Sequence, residues 1–148
     1  MINIEKLKEF SYDVVGALIS VKSELGPGLN EKIYQEGLAM ELTFQNIEFE
    51  REKLVHPTYR GTPMESTFFL DFFCKKSIIV ELKAVSALTK EHRAQLFNYM
   101  RIVEPKMGIL VNFAPSFTEI ERYYYDPNSL EIVNSEGNNI QERHMGKH

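Results

Sequence analysis

The stretch Ser77-Ile78-Ile79-Val80-Glu81-Leu82-Lys83-Ala84-Val85 decides the fold, because it begins as a buried strand and then turns charged. Ser77 to Val80 is apolar and β-branched, as a strand covered on both faces should be. Glu81 and Lys83 follow with only Leu82 between them. Alternate residues of a strand share a face, so two opposite charges stand side by side on one side of the sheet. Desolvating an ion costs roughly several kcal/mol, so the pair needs a reason. The plain one is a salt bridge at the strand's solvent-facing end. Glu104-Pro105-Lys106 repeats the tripeptide in a Pro-broken turn, where chance alone accounts for it.

Asp71 separates the first instance from the second. It interrupts Phe68-Phe69-Leu70-Asp71-Phe72-Phe73, where an unpaired carboxylate is strongly unfavourable or is driven towards its neutral form. A three-residue loop, Lys75-Lys76-Ser77, sets Asp71 opposite Glu81 with both side chains on one face. A loop of two or four residues offsets them, and the sequence leaves that register open. If the two anions converge they need a cation. Hard oxygen ligands without Cys or His select Mg²⁺ or Mn²⁺.

Outward from this hairpin, the periodicity predicts a helix over residues 4–25, with Leu7, Phe10, Val14, Ala17, Leu18 and Val21 on one face. Gly26-Pro27-Gly28 ends it. Asn30 caps a second helix that runs to about Gln45, with Leu29 and Tyr34 placed as a hydrophobic staple and Glu31 opening the first turn, where the helix dipole favours an anion. Residues 47–59 read as a strand with a turn near Arg60-Gly61. Residues 66–74 and 77–85 form the next two strands. Residues 88–103 are helical, with Thr89 as cap; His92, Gln95 and Tyr99 share one helix face. Residues 107–114 make a short buried strand, and residues 117–125 an edge strand whose Tyr123-Tyr124-Tyr125 run reads as strand packing. From Asp126 the chain turns polar, a loose tail with one short strand over 130–133. The order α-α-β-β-β-α-β-β predicts an α/β fold, a mixed sheet flanked by helices, in one domain over residues 1–125 followed by a polar tail over 126–148.

The 148 residues suffice for one domain with a real core. A net charge of −4 argues against a protein that coats nucleic acid by bulk electrostatics. It leaves room for an enzyme that holds phosphate through a bound cation. The lone Cys74 excludes an internal disulfide and, with no leader-like segment at the start, places the chain in the cytoplasm.

Asp71, nine intervening residues, Glu81-Leu82-Lys83, and then Gln95-Leu96-Phe97-Asn98-Tyr99 resemble the motifs of the PD-(D/E)XK nuclease superfamily, and the Gln-x-x-x-Tyr helix resembles its RecB-like branch. Phe68 stands where many RecB-like sequences carry Gly. Gly28-x-x-Glu31-x-x-Tyr34, "LDFF", "IIVELKAV", "HRAQLFNYM" and "GILVNF" together are similar to the bacterial GxxExxY proteins, over residues 5 to 125. The resemblance implies a core αβββαβ and a metal-dependent nuclease that hydrolyses phosphodiester bonds, with DNA the expected substrate. Glu31, Asp71 and Glu81 would be metal ligands, with the Leu82 carbonyl a further one, for Mg²⁺ or Mn²⁺. Lys83 would orient or deprotonate the attacking water and offset charge on the phosphate. Gln95 and Tyr99 would position water, Lys83 or substrate. Apart from the resemblance, Lys90, Arg93 and Arg101 are candidates for phosphate contact by their place near the proposed site, with a solvated surface as the competing reading, and His92 is a further candidate to meet substrate. Against this stands a binding module that keeps the fold without the hydrolysis, or a structural homodimer paired through the strand at 117–125.

Overall fold

The computed structural model describes residues 2–141. Helix α1 spans Ile4–Leu25, started by the Asn3 side chain, which accepts from the Lys6 N–H. It stops at Gly26, whose φ of 75° an L side chain adopts only with strain. Helix α2 spans Glu31–Phe44 behind the Asn30 cap. Strand β1 (Phe49–Val55) leads into a small hairpin of β2 (Thr58–Tyr59) and β3 (Thr62–Pro63). Then come β4 (Phe68–Cys74), β5 (Ile78–Lys83), α3 (Lys90–Val103), β6 (Met107–Asn112), β7 (Glu119–Asp126), β8 (Glu131–Val133) and β9 (Asn139–Gln141). The predicted helices and central strands are all present, with α2 and α3 starting behind the predicted caps Asn30 and Thr89.

One sheet carries the order β1-β4-β5-β6-β7-β8-β9. Only β5 and β6 run parallel, and α3 connects them; the other neighbours are antiparallel. This is the mixed α/β sheet the sequence predicts. Helices α1 and α2 cover one face, where Val14, Leu18, Tyr34 and Leu38 pack on Phe72, Val80, Leu82 and Val111. Helix α3 covers the other, where Leu96, Phe97 and Met100 pack with Ile79, Leu110 and Tyr123. Gly108 in β6 lets α3 come close: a Cβ there would lie 2.7 Å from Met100 Sδ and 3.0 Å from Leu96 Cδ1. Both neighbours are fully buried, so they have little room to yield. Gly108→Val should therefore cost ~2 kcal/mol by overpacking and lower the thermal midpoint by several degrees, read by calorimetry.

Two expectations need correction. The strand at 117–125 is not at an edge, because β7 is paired with β6 on one side and β8 on the other. Its pairing groups are taken, which removes edge-to-edge dimerisation through it. Tyr123, Tyr124 and Tyr125 are buried, as strand packing requires. The polar segment after Asp126 also does more than trail. Asp126 caps a turn by accepting from the Asn128 N–H, and β8 and β9 then extend the sheet to Gln141. The rest of the expected loose tail, residues 142–148, lies outside the described residues. Among the described residues no helix is long and apolar enough to cross a membrane.

Candidate active site

The β4–β5 turn sets the register on which the site depends. Cys74 pairs with Ile78, Phe73 with Ile79 and Phe72 with Val80, so three residues, Lys75 to Ser77, make the loop. Lys75 and Lys76 both sit at left-handed φ, 55° and 53°, which matches the twist of a tight hairpin. Lys75 is held there by Asp13 at 2.7 Å and by the Phe10 carbonyl at 2.8 Å. Continued one step, this register sets Asp71 against Glu81.

At that step side chains take over from the backbone ladder. The Asp71 N–H donates to Glu81 Oε2 at 2.9 Å, and the Leu82 N–H donates to Asp71 Oδ2 at 2.8 Å. Each carboxylate thus spends one oxygen on the opposite strand. Glu52, the β1 residue level with Asp71, has a φ of 52°, a strained value for a non-glycine residue. The strands change face here. Phe49 and Phe72 pack under α1 and α2, whereas Val55, Phe68 and Leu70 pack under α3.

Glu81 is 3% exposed. Burial, and then the neighbouring Asp71 charge, push its carboxyl up to about 8, against the smaller opposing pull of the Asp71 N–H and Lys83. Burial likewise raises Asp71, with the Leu82 N–H and Lys83 opposing it and Glu52 adding to it. Glu31 at the start of α2 is raised by burial and by Asp71, and lowered by Lys83. The three acids, on α2, β4 and β5, therefore feel one another. The site holds more negative charge than Lys83 offsets. Among the described residues no three His, Cys, Asp or Glu side chains are already gathered closely enough to hold an ion. The preformed unit is the Asp71–Glu81 pair.

Lys83 Nζ reaches Gln95 Oε1 on α3 at 3.4 Å. Tyr99, one turn further along that helix, stacks on Phe68 with ring centroids 4.3 Å apart and planes 1° from parallel. Burial raises its hydroxyl pKa, and Glu81 and Asp71 add to the shift, which puts Tyr99 within electrostatic reach of both acids. The ring of Phe68, where a glycine would leave a gap, is the platform that holds it. Leu82 lends its N–H to Asp71 and its side chain to the core.

The three residues expected to face substrate fare differently. Lys90 is exposed at the first position of α3. His92 closes the capping box: its Nδ1 accepts from the Thr89 N–H at 3.0 Å, and its own N–H donates to Thr89 Oγ1. Arg93 is committed to Glu121 by two hydrogen bonds of 2.8 and 2.7 Å, which raise its pKa. Glu104-Pro105-Lys106 is structural, as expected: Glu104 ends α3 in a left-handed conformation and accepts from the Tyr125 hydroxyl at 2.9 Å.

Two supporting roles escaped the sequence reading, that of the Tyr34 hydroxyl beyond the staple and that of Asn112. The Tyr34 hydroxyl donates to the Gly26 carbonyl at 2.6 Å and accepts from the Leu29 N–H at 3.2 Å, while its ring stacks on Phe113 at 4.6 Å. It ties the α1–α2 turn to β6's exit and so fixes the helix start that carries Glu31. Tyr34→Phe should keep the stack, lose both bonds and cost ~1–2 kcal/mol, read by chemical denaturation. Asn112, fully buried, binds Val85 on both sides: its Oδ1 accepts from the Val85 N–H at 3.0 Å and its Nδ2 donates to the Val85 carbonyl at 2.9 Å. It extends the β5–β6 ladder with a side chain and pins the chain just past Lys83. A polar amide inside the run "GILVNF" was the available signal.

The donor set suits a hard divalent ion: two carboxylates with, among the described residues, no thiolate or imidazole gathered beside them. No curated protein is significantly similar to the chain. The crystal structure of a protein called SSO0001 is similar at 20% identity with a TM-score of 0.48; the match covers 80% of this chain and 60% of that one, so the chain spans about three-fifths of its length. A family model described as the PD-(D/E)XK nuclease superfamily matches residues 8–123, a stretch that contains Glu31, Asp71, Glu81, Lys83, Gln95 and Tyr99. With that match over most of its length, the chain belongs to the PD-(D/E)XK nuclease superfamily.

Proposed function

We propose that the chain is a divalent-metal-dependent phosphodiesterase acting on nucleic acid, with DNA its expected substrate and Mg²⁺ or Mn²⁺ its ion, and that it is one of the GxxExxY proteins. The observation that carries this is the reciprocal carboxylate pair: Asp71 and Glu81 locked across two strands with Lys83 on the same face. Asp71 and Glu81 would hold the ion, with Glu31 and the Leu82 carbonyl completing its shell. When bound, it would supply positive charge at the scissile phosphate and acidify water there.

The remaining steps belong to the protein's own groups. The backbone N–H groups of Asp71 and Leu82 fix one oxygen of each carboxylate, so the other faces the site without a change of rotamer. Lys83 stands on the Glu81 face of β5 and sets its ammonium against charge that develops on the phosphate oxygens. Gln95 accepts from that ammonium and limits where it can go. Tyr99, clamped by Phe68, positions a hydroxyl for substrate or water.

A labelled panel of single- and double-stranded DNA and RNA, incubated with Mg²⁺ or Mn²⁺, tests the reading. Cleavage that disappears with chelator and in Glu81→Ala is expected. Equal cleavage by wild type and variant would assign the activity to a contaminant. Metal binding without cleavage of any substrate would favour a binding module that keeps the fold.

A further inference from the structure

The rim of the site carries a second pattern, formed by β1, β4 and the hairpin between them. Val55 pairs with Phe68 and Leu54 with Phe69. Because Val55 and Phe68 pack under α3, Leu54 and Phe69 point to the other face of the sheet. They are left 46% and 57% exposed there. Phe69 lies two residues, ~7 Å of strand, from Asp71. From the Val55–Phe68 pair the chain leaves the sheet as the β2–β3 hairpin. Its tip is Tyr59-Arg60-Gly61, with Arg60 and Gly61 at left-handed φ of 51° and 82°. Tyr59 is 68% exposed. Arg60 makes no ion pair among the described residues. An aromatic shelf and an aromatic–cation tip thus follow one another away from the carboxylates along a single strand pair.

We propose that this rim is a binding track for unpaired nucleotides, with bases stacking on Phe69 and Tyr59 while Arg60 meets the phosphates. The proposal rests on the phosphodiesterase reading above and names its substrate class: single-stranded nucleic acid or a frayed end. Two features select that occupant. With a net charge of −4 the chain gains little from counterion release along a duplex, so affinity must come from another source. Flat, solvated aromatic faces supply it only to bases that are not already stacked in a helix. A protein partner would leave Arg60 without an anion, whereas a phosphodiester chain provides one beside every base.

The test uses the full chain in a Glu81→Gln background, so that oligonucleotides stay intact, and reads anisotropy of a short fluorescein-labelled oligo-thymidylate and of its duplex with oligo-adenylate. The single strand should bind more tightly than the duplex. Tyr59→Ala and Phe69→Ala should each weaken it about tenfold, while Tyr59→Phe and Phe69→Tyr keep it. The chain has no tryptophan, so Phe69→Trp gives a lone emission signal that the single strand should quench. A duplex bound as tightly as the single strand, or alanine variants that bind like their parent, would overturn the track. If wild type nevertheless cleaves in a Glu81-dependent way, the phosphodiesterase reading survives that result. Stacking-dependent binding with no cleavage under any ion would sink the phosphodiesterase reading and keep the track.

Discussion

Lys83→Ala should reduce divalent-ion-dependent cleavage by about a thousandfold, the loss that follows when a preorganised charge is removed from a developing anion. The fold should persist, because Lys83 is only partly buried and its hydrogen bond to Gln95 is long. The measurement is kcat on the best substrate of the panel, with circular dichroism and the thermal midpoint as controls. Lys83→Arg should not restore the rate: a planar guanidinium cannot occupy the place of a compact ammonium beside Gln95. A variant that cleaves within threefold or so of wild type would remove Lys83 from the chemistry. Gln95→Ala should have a smaller effect, since it acts only through Lys83.

Glu81→Gln should stabilise the metal-free protein at pH 8 while eliminating cleavage. In the unfolded chain the Glu81 carboxyl titrates at its ordinary value of 4.5; in the folded chain burial and Asp71 carry it to about 8. Between those values the folded state keeps a proton that the unfolded state has released. Stability therefore falls as pH rises through the window and levels off above it. Below it, wild type and variant should match. Above it, the variant should gain up to ~5 kcal/mol, on the order of 15 °C of thermal midpoint for a chain of this size. Glutamine keeps an oxygen for the Asp71 N–H, so the gain comes from the charge alone. Added Mg²⁺ or Mn²⁺ should raise the wild-type midpoint and leave the variant's unchanged. A wild-type midpoint flat between pH 5 and 8 would mean that Glu81 is not held in the desolvated, crowded state described. On the proposed reading, the stability lost to Glu81 is the cost of a site arranged for an ion.

Local chemistry was the legible part of this molecule. Asn30 and Thr89 announce their helices because a cap depends on three or four adjacent residues. Asp71 and Glu81 could be matched once a three-residue loop was assumed, and the paired register has that length. Long-range facts were not legible. Whether residues 117–125 lay at an edge depended on where the short strand read over 130–133 would pair, and nothing in the three residues of β8 names β7 as its neighbour. Arg93 on α3 looked like a phosphate contact because its partner Glu121 is on strand β7, 28 residues away. Tyr34 read as a staple since its ring is local, but its hydroxyl serves a turn eight residues back. The switch of faces at Glu52 and Asp71 leaves no trace in hydrophobic alternation.

Exposed hairpin tips ordinarily accept insertions and deletions with little consequence. Lys75-Lys76-Ser77 cannot. One residue more or fewer would slide β5 by one position against β4, carry Glu81 out of step with Asp71 and tear its oxygen from the Asp71 N–H, with no change in either strand's composition. Length variation among natural versions of this chain should therefore collect in the β2–β3 and β8–β9 connections and spare this lysine turn, although it lies at the far end of the hairpin from the chemistry it governs.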